Sequence, residues 1–268
     1  MNKTLKRGIY VIPTLFTCAN MAFGFLSMLA SIRADFSQAA WFLVLAIVCD
    51  VLDGRIARLT KTTSEFGVQI DSLSDLVSFG IAPAVMIYLF ALTDKGKLGM
   101  AVAVLFVLCA ALRLAKFNVI AQDGQVHAHF SGLPTPASAG VLISFVLSYK
   151  IFYINSHQGI TTFKTIPILV KAMPWIFEIM PFIVVALGLL MVSTLPYFSF
   201  KKVSLAKPKT LRFIILLIFI IFLIAVFPQN MFFIIFFGYA ISGLLAYFFR
   251  VTKISLNKVR EKRGEDER

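Results

Sequence analysis

Apolar residues in this chain come in long unbroken blocks separated by short polar stretches, not in the alternating or striped patterns of half-buried strands and surface helices. Blocks run over about 12–32, 38–58, 71–92, 97–115, 135–154, 175–196, 211–228 and 231–250. A helix needs roughly 20 apolar residues to cross the hydrocarbon core, and these blocks reach or approach that length. The pattern predicts an all-α, polytopic transmembrane helix bundle of about eight spans. Met1 to Leu15 carries Lys3, Lys6 and Arg7 ahead of its apolar stretch. With no small-residue cleavage site, and apolar sequence continuing to Ile32, it reads as a retained first helix. The stretch from Asn155 to Pro174 is too polar to span and is expected to be an external loop. Two blocks are impure in a telling way. The second runs apolar from Ala39 to Cys49 and then meets Asp50, Asp53 and Arg55, while the third opens with Asp71 and Asp75.

Composition supports a membrane location. The chain of 268 residues is 59% hydrophobic and 15% charged, against about 45–50% and 25% for soluble domains. Its 28 Phe residues would overfill a water-soluble core of this size, so much of that surface must face lipid. A net charge of +13 need not imply nucleic acid, because the basic residues flank the apolar blocks. With the N-terminus inside, 20 of the 26 Lys and Arg residues fall in inside segments. The positive-inside rule then places both termini, the Asp50–Asp75 region and the Arg113–Pro136 region on the cytoplasmic side. The basic tail, 251–268, reads as a solvated segment near anionic headgroups. Trp41 and Trp175 fit interface anchoring. Cys18, Cys49 and Cys109 stand singly, without metal-binding or redox spacing.

Four of the 13 acidic residues sit at the facing ends of two consecutive membrane segments. A carboxylate near hydrocarbon costs at least a few kcal/mol, so it is expected to be paired or functional. Asp50 and Asp53 are three apart and share one helix face; Asp71 and Asp75 are four apart and share another. Helices joined by a turn around Leu59–Gln69 bring the two pairs together. A cluster of oxygen ligands suits hard divalent cations such as Mg²⁺ or Mn²⁺. Four carboxylates can hold two of them, an arrangement suited to phosphoryl transfer. Gly54 and Ala57 lack bulk and let a ligand approach, Arg58 can grip phosphate oxygens, and Gly67 stands where the chain is expected to turn.

The eight residues Asp50, Asp53, Gly54, Ala57, Arg58, Gly67, Asp71 and Asp75, at these spacings over 26 positions, resemble the full signature of the CDP-alcohol phosphotransferases. That resemblance implies six core transmembrane helices, a homodimer and a site open to the cytoplasm. It also implies two divalent metals held by Asp50, Asp53, Asp71 and Asp75, with Asp75 as general base. Gly54, Ala57, Arg58 and Gly67 would line the CDP pocket. Residues 1–200 would form the core domain, 201–250 two additional helices and 251–268 the tail. Within the family, residues 8–145 are similar to the bacterial phosphatidylserine synthases. The similarity is carried by Ile12 to Thr17 with Asn20, Ser72 to Pro83, Ala111 to Asn118, and Gly132 to Pro136. Thr14 departs from the Asn expected there. The implied substrates are CDP-diacylglycerol and L-serine, with Arg113 and Lys116 as candidates for holding the acceptor or a phosphate.

Other readings remain at this point. A sibling enzyme would use glycerol phosphate or inositol phosphate as acceptor, and the motif does not distinguish an archaeal-lipid donor. A cation-coupled transporter would place its charged residues near the bilayer midplane in broken helices.

Overall fold

The computed structural model describes residues 3–60, 65–122, 132–157, 167–195, 197, 231–247 and 252. Among them every regular element is helical. The chain begins with α1 (Lys3–Ile32), which turns directly into α2 (Phe36–Thr60). The turn closes with backbone bonds from Ala34 to Ser31 and from Asp35 to Ala30, both 3.0 Å, around Ala34 at φ 60°. This is the left-handed ending common at helix C-termini, here without the usual glycine. The Asp35 carboxylate then accepts the Gln38 amide at 3.1 Å and caps α2.

After α2 come α3 (Glu65–Asp75), a π-helical turn (Leu76–Ile81), α4 (Ala82–Ile87), a second π segment (Tyr88–Leu92) and a 3₁₀ turn (Thr93–Lys95). Pro83 stands at the start of α4. Lacking an N–H and crowding the carbonyl four residues back, it prevents a regular ladder, and the π turn rearranges the bonds just before it. The chain reverses at Gly96 into α5 (Gly96–Gln122). α6 (Thr135–His157), α7 (Pro167–Val192) and α8 (Met231–Tyr247) follow.

Residues Thr14–Ile32, Glu65–Ile120 and Trp175–Val192 are helical runs long and apolar enough to cross a membrane. The 56 residues of the second run would extend about 84 Å as one rod, far beyond the roughly 30 Å core, and the reversal at Gly96 divides it into two shorter arms. α2 lacks that uniform apolarity because Asp50, Asp53, Arg55 and Arg58 occupy its last turns.

Several helices extend past their apolar blocks into polar residues, as α2 does through Asp50, Asp53 and Arg55. Two expectations need correcting. α6 reaches His157 and α7 already starts at Pro167, so the Asn155–Pro174 stretch is helical at both ends. Proline suits the first position of a helix, which explains the early start. Gly67 lies in the first turn of α3, not in the connection, because helix begins at Glu65, whose charge favours a helix N-terminus. The predicted span at 211–228 and the tail at 253–268 lie outside the described residues.

α1 packs along α2 and also against α3 and the first π turn, while α5 packs on α7 and α6 on α2. Gly24 permits the close approach of α1 to the first π turn, since a Cβ there would meet the Ser78 backbone Cα at 2.8 Å. Phe79, Met86, Phe106, Leu142 and Met180 fill the buried centre. Phe36, Phe90, Phe145, Tyr149 and Phe177 form an aromatic cluster near the Lys95–Glu178 ion pair of 2.7 Å. The carboxylates lie away from that cluster, toward the α2 C-terminus.

Candidate metal and phosphoryl-transfer site

Asp50 and Asp53 come from the last turns of α2, and Asp71 from the middle of α3. One oxygen from each of the three carboxylates lies within 4.8 Å of the others. Asp75, one turn beyond Asp71, comes within hydrogen-bond reach of Asp50. The convergence expected from the spacing is therefore present, with Asp75 at its edge. Asp53 is only 5% exposed. Carboxylates this close repel one another, and the Asp71 Oδ1 atom is buried without a hydrogen-bond partner. Hard divalent cations fit this donor set, which offers only oxygens, convergent and partly buried, one of them without a partner.

The sequence does not reveal that α1 holds the two halves together. Thr17 donates its hydroxyl to Asp53 at 2.9 Å, and the Asn20 amide reaches Asp75 at a longer 3.4 Å. In return Ser74 donates to the Thr17 carbonyl at 2.9 Å, and Ser78 to the Asn20 carbonyl at 2.8 Å. Thr17 and Asn20 belong to the α1 pattern noted above, and polar side chains inside an apolar block were the available signal. Asn20 is fully buried, and its Oδ1 has no partner.

The other candidate residues divide. Gly54 and Ala57 follow the carboxylates on α2, and Gly67 precedes them on α3. Arg58 is on α2, and its side chain lies outside what is described. Arg113 on α5 reaches α6, donating from Nη1 to Thr135 Oγ1 at 2.7 Å, and stands within electrostatic range of Asp75. Its Nε is buried without a partner. Lys116 is exposed on α5 and is not drawn into this group. Ser72 and Asn118 bond each other at 2.9 Å, tying α3 to α5 beside the site. Thr135 and the Ser72–Asn118 pair had no assigned role in the sequence reading.

The profile of the CDP-alcohol phosphatidyltransferase family matches residues 10–171. The chain belongs to that family. It is 34% identical over 253 residues to a CDP-diacylglycerol–serine O-phosphatidyltransferase of Helicobacter pylori, covering 93% of this chain and 96% of the relative. An archaetidylserine synthase of Methanothermobacter thermautotrophicus is 39% identical over 150 residues, covering 55% and 63%. A CDP-diacylglycerol–serine O-phosphatidyltransferase of Mycobacterium tuberculosis is 32% identical over 147 residues, covering 53% and 51%. Membership makes the chain a membrane-embedded phosphotransferase and leaves the transporter reading without support.

Proposed function

We propose that this protein transfers the phosphatidyl group of CDP-diacylglycerol to the hydroxyl of L-serine, forming phosphatidylserine and releasing CMP. The observation that carries this is the convergence of Asp50, Asp53 and Asp71 oxygens within 4.8 Å. It occurs in a chain similar almost end to end to an enzyme named for this reaction.

Asp50, Asp53, Asp71 and Asp75 would hold two divalent cations, Mg²⁺ or Mn²⁺. Such cations polarise the phosphoryl group and neutralise charge on the departing CMP. Gly54, Ala57 and Gly67 leave room for the nucleotide beside the carboxylates, and Arg58 grips phosphate oxygens. Asp75 takes the proton from the serine hydroxyl. The serine oxygen forms its bond to the phosphorus attached to diacylglycerol, and the bond from that phosphorus to the CMP oxygen breaks. Arg113, between Thr135 and Asp75, holds the acceptor's anionic group so that its hydroxyl faces the base. Lys116, on the same helix one turn later, attracts anionic substrate toward the mouth.

Residues 1–200 form the six-helix core, 201–250 two further helices and 251–268 a basic tail. We place the enzyme as a homodimer in the cytoplasmic membrane, with its site and both termini facing the cytoplasm. The distribution of Lys and Arg supports that orientation.

The test is CMP release by detergent-purified protein given CDP-diacylglycerol, Mg²⁺ or Mn²⁺, and each acceptor in turn. Release requiring both L-serine and metal, and stopped by a chelator, is the expected result. Release with glycerol phosphate or inositol phosphate instead would overturn the acceptor. A preference for an ether-linked archaeal donor would overturn the donor.

A further inference from the structure

α8 lies beyond residues 10–171, the part of the chain matched to the family, and its sequence suggests no chemistry. Its packing nevertheless brings it to the acceptor side of the site. The Phe236 ring lies against Gly140 of α6, in the space a Cβ would occupy. Seven residues on, Gly243 lies in the same way against the Tyr197 ring. The Tyr197 hydroxyl donates to the Ala240 carbonyl at 3.1 Å. Leu195, two residues before Tyr197, accepts the Gly132 amide at 2.9 Å, and the Leu133 amide donates to Leu190 at 2.9 Å. The end of α7 is thereby tied to the entry of α6. A Cβ at position 132 would be strained at φ 88° and would collide with the Ser193 carbonyl, so glycine is required for this junction.

These contacts set the direction of α8. It passes along α6 from the level of Gly140, at Phe236, to the level of Gly132, at Ala240 and Gly243. Three residues beyond Phe236 advance it about 4.5 Å, and Thr135 lies about 7.5 Å along α6 from Gly140 in the same sense. Tyr239 is therefore level with the first turn of α6, about 3 Å short of Thr135 along the axis. Its ring packs on Tyr197, with centroids 5.6 Å apart, and it stands within electrostatic range of Arg113.

Two buried polar atoms there have no hydrogen-bond partner: Nε of Arg113, and Oγ of Ser138 one turn along α6 from Thr135. A buried donor without an acceptor costs about 1–3 kcal/mol, and a guanidinium edge is best met by a planar oxyanion. We propose that Tyr239, together with Arg113 and Thr135, forms the subsite for the carboxylate of the acceptor. Through Tyr239, the helix outside the family core then sets the preference for an alcohol that bears a carboxylate. Among the described residues this corner offers one guanidinium and neutral hydroxyl donors, which match a monoanion better than the two charges of a phosphorylated acceptor. The inference rests on the serine reading above.

Full-length protein in detergent tests it. CMP release is titrated with L-serine and with 2-amino-1,3-propanediol, which replaces the carboxylate by a hydroxymethyl group, used as acceptor or as competing inhibitor. Tyr239→Phe is expected to raise KM for L-serine about 10–100-fold, the loss of one hydrogen bond to a charged group. Its kcat, its KM for CDP-diacylglycerol and its constant for the propanediol stay within about two-fold of wild type. Thr135→Val gives the same selective loss. The unchanged donor KM shows that the variants are folded. An unchanged KM for L-serine in both variants, or an equal loss for serine and the propanediol, overturns the inference alone. Wild-type protein that rejects L-serine but accepts another alcohol overturns the serine reading, and this inference with it.

Discussion

The hydroxyl of Thr17 tests whether α1 acts on the metal site. Thr17→Val keeps the shape of the side chain and removes one donor, leaving the Thr17 carbonyl still bonded to Ser74. The bond lost is a buried 2.9 Å contact to the Asp53 carboxylate. A hydrogen bond to a charged group contributes about 1.5–3 kcal/mol, which corresponds to about 10–140-fold in a binding constant. Outer partners of metal ligands typically account for 10–100-fold in metal affinity. The metal concentration giving half-maximal CMP release should therefore rise about 10–100-fold in Thr17→Val, with most of kcat recovered at saturating metal. Thr17→Ser, which retains the donor, should stay close to wild type. The assay is a Mg²⁺ or Mn²⁺ titration of CMP release at fixed substrates. An unshifted titration in Thr17→Val would refute the claim that α1 orients Asp53 for a cation.

Three further outcomes are expected. Asp75→Asn should lower CMP release by at least about 10²–10⁴-fold, the range of general-base catalysis, while binding of a labelled CDP-diacylglycerol persists; near-normal turnover would remove Asp75 from the mechanism. Gly24→Ala should lower the apparent melting midpoint in detergent, because its Cβ meets backbone of Ser78 and overpacking costs about 1–3 kcal/mol. A midpoint equal to wild type would show that α1 and the π turn can separate freely. Ser72→Ala should weaken the tie between α3 and α5 through the 2.9 Å bond to Asn118, a loss of about 0.5–1.5 kcal/mol read in the same melting experiment.

The carboxylates proposed to hold the cations were legible in the sequence because acidic residues inside apolar blocks stand out, and spacings of three and four put each pair on one helix face. The clasp around them was much less so. Thr17 and Asn20 are neutral and small enough to pass as ordinary members of a spanning helix, and no spacing rule links α1 to α3. The π turn after Asp75 had only Pro83 as a local sign, since π and α segments share composition. Gly67 was misplaced because glycine reads as punctuation, whereas here it occupies the first turn of a helix started by Glu65. Tyr239 was invisible as a site residue for another reason. Its place follows from two glycine-to-aromatic contacts and one tyrosine hydroxyl, all between segments distant in sequence.

The two kinds of contact at the carboxylates differ in strength, and that difference explains why both are present. At 4.8 Å and an effective dielectric of about 20, two ionised carboxylates repel by about 3.5 kcal/mol. The backbone bonds from Ser74 and Ser78 to α1 are neutral, and each contributes only about 0.5–1.5 kcal/mol. They cannot by themselves hold three full charges together, so the proposed cations stabilise the junction of α2 and α3 as well as serving the reaction. Neutral bonds have a different use. Because they do not depend on charge, they keep α3, and with it Asp71 and Asp75, against α1 whether or not cations are bound. Glycine at position 24 lets α1 lie close enough to Ser78 for these bonds to form. A cation then meets carboxylates already aimed at it and spends little of its binding free energy on ordering the chain.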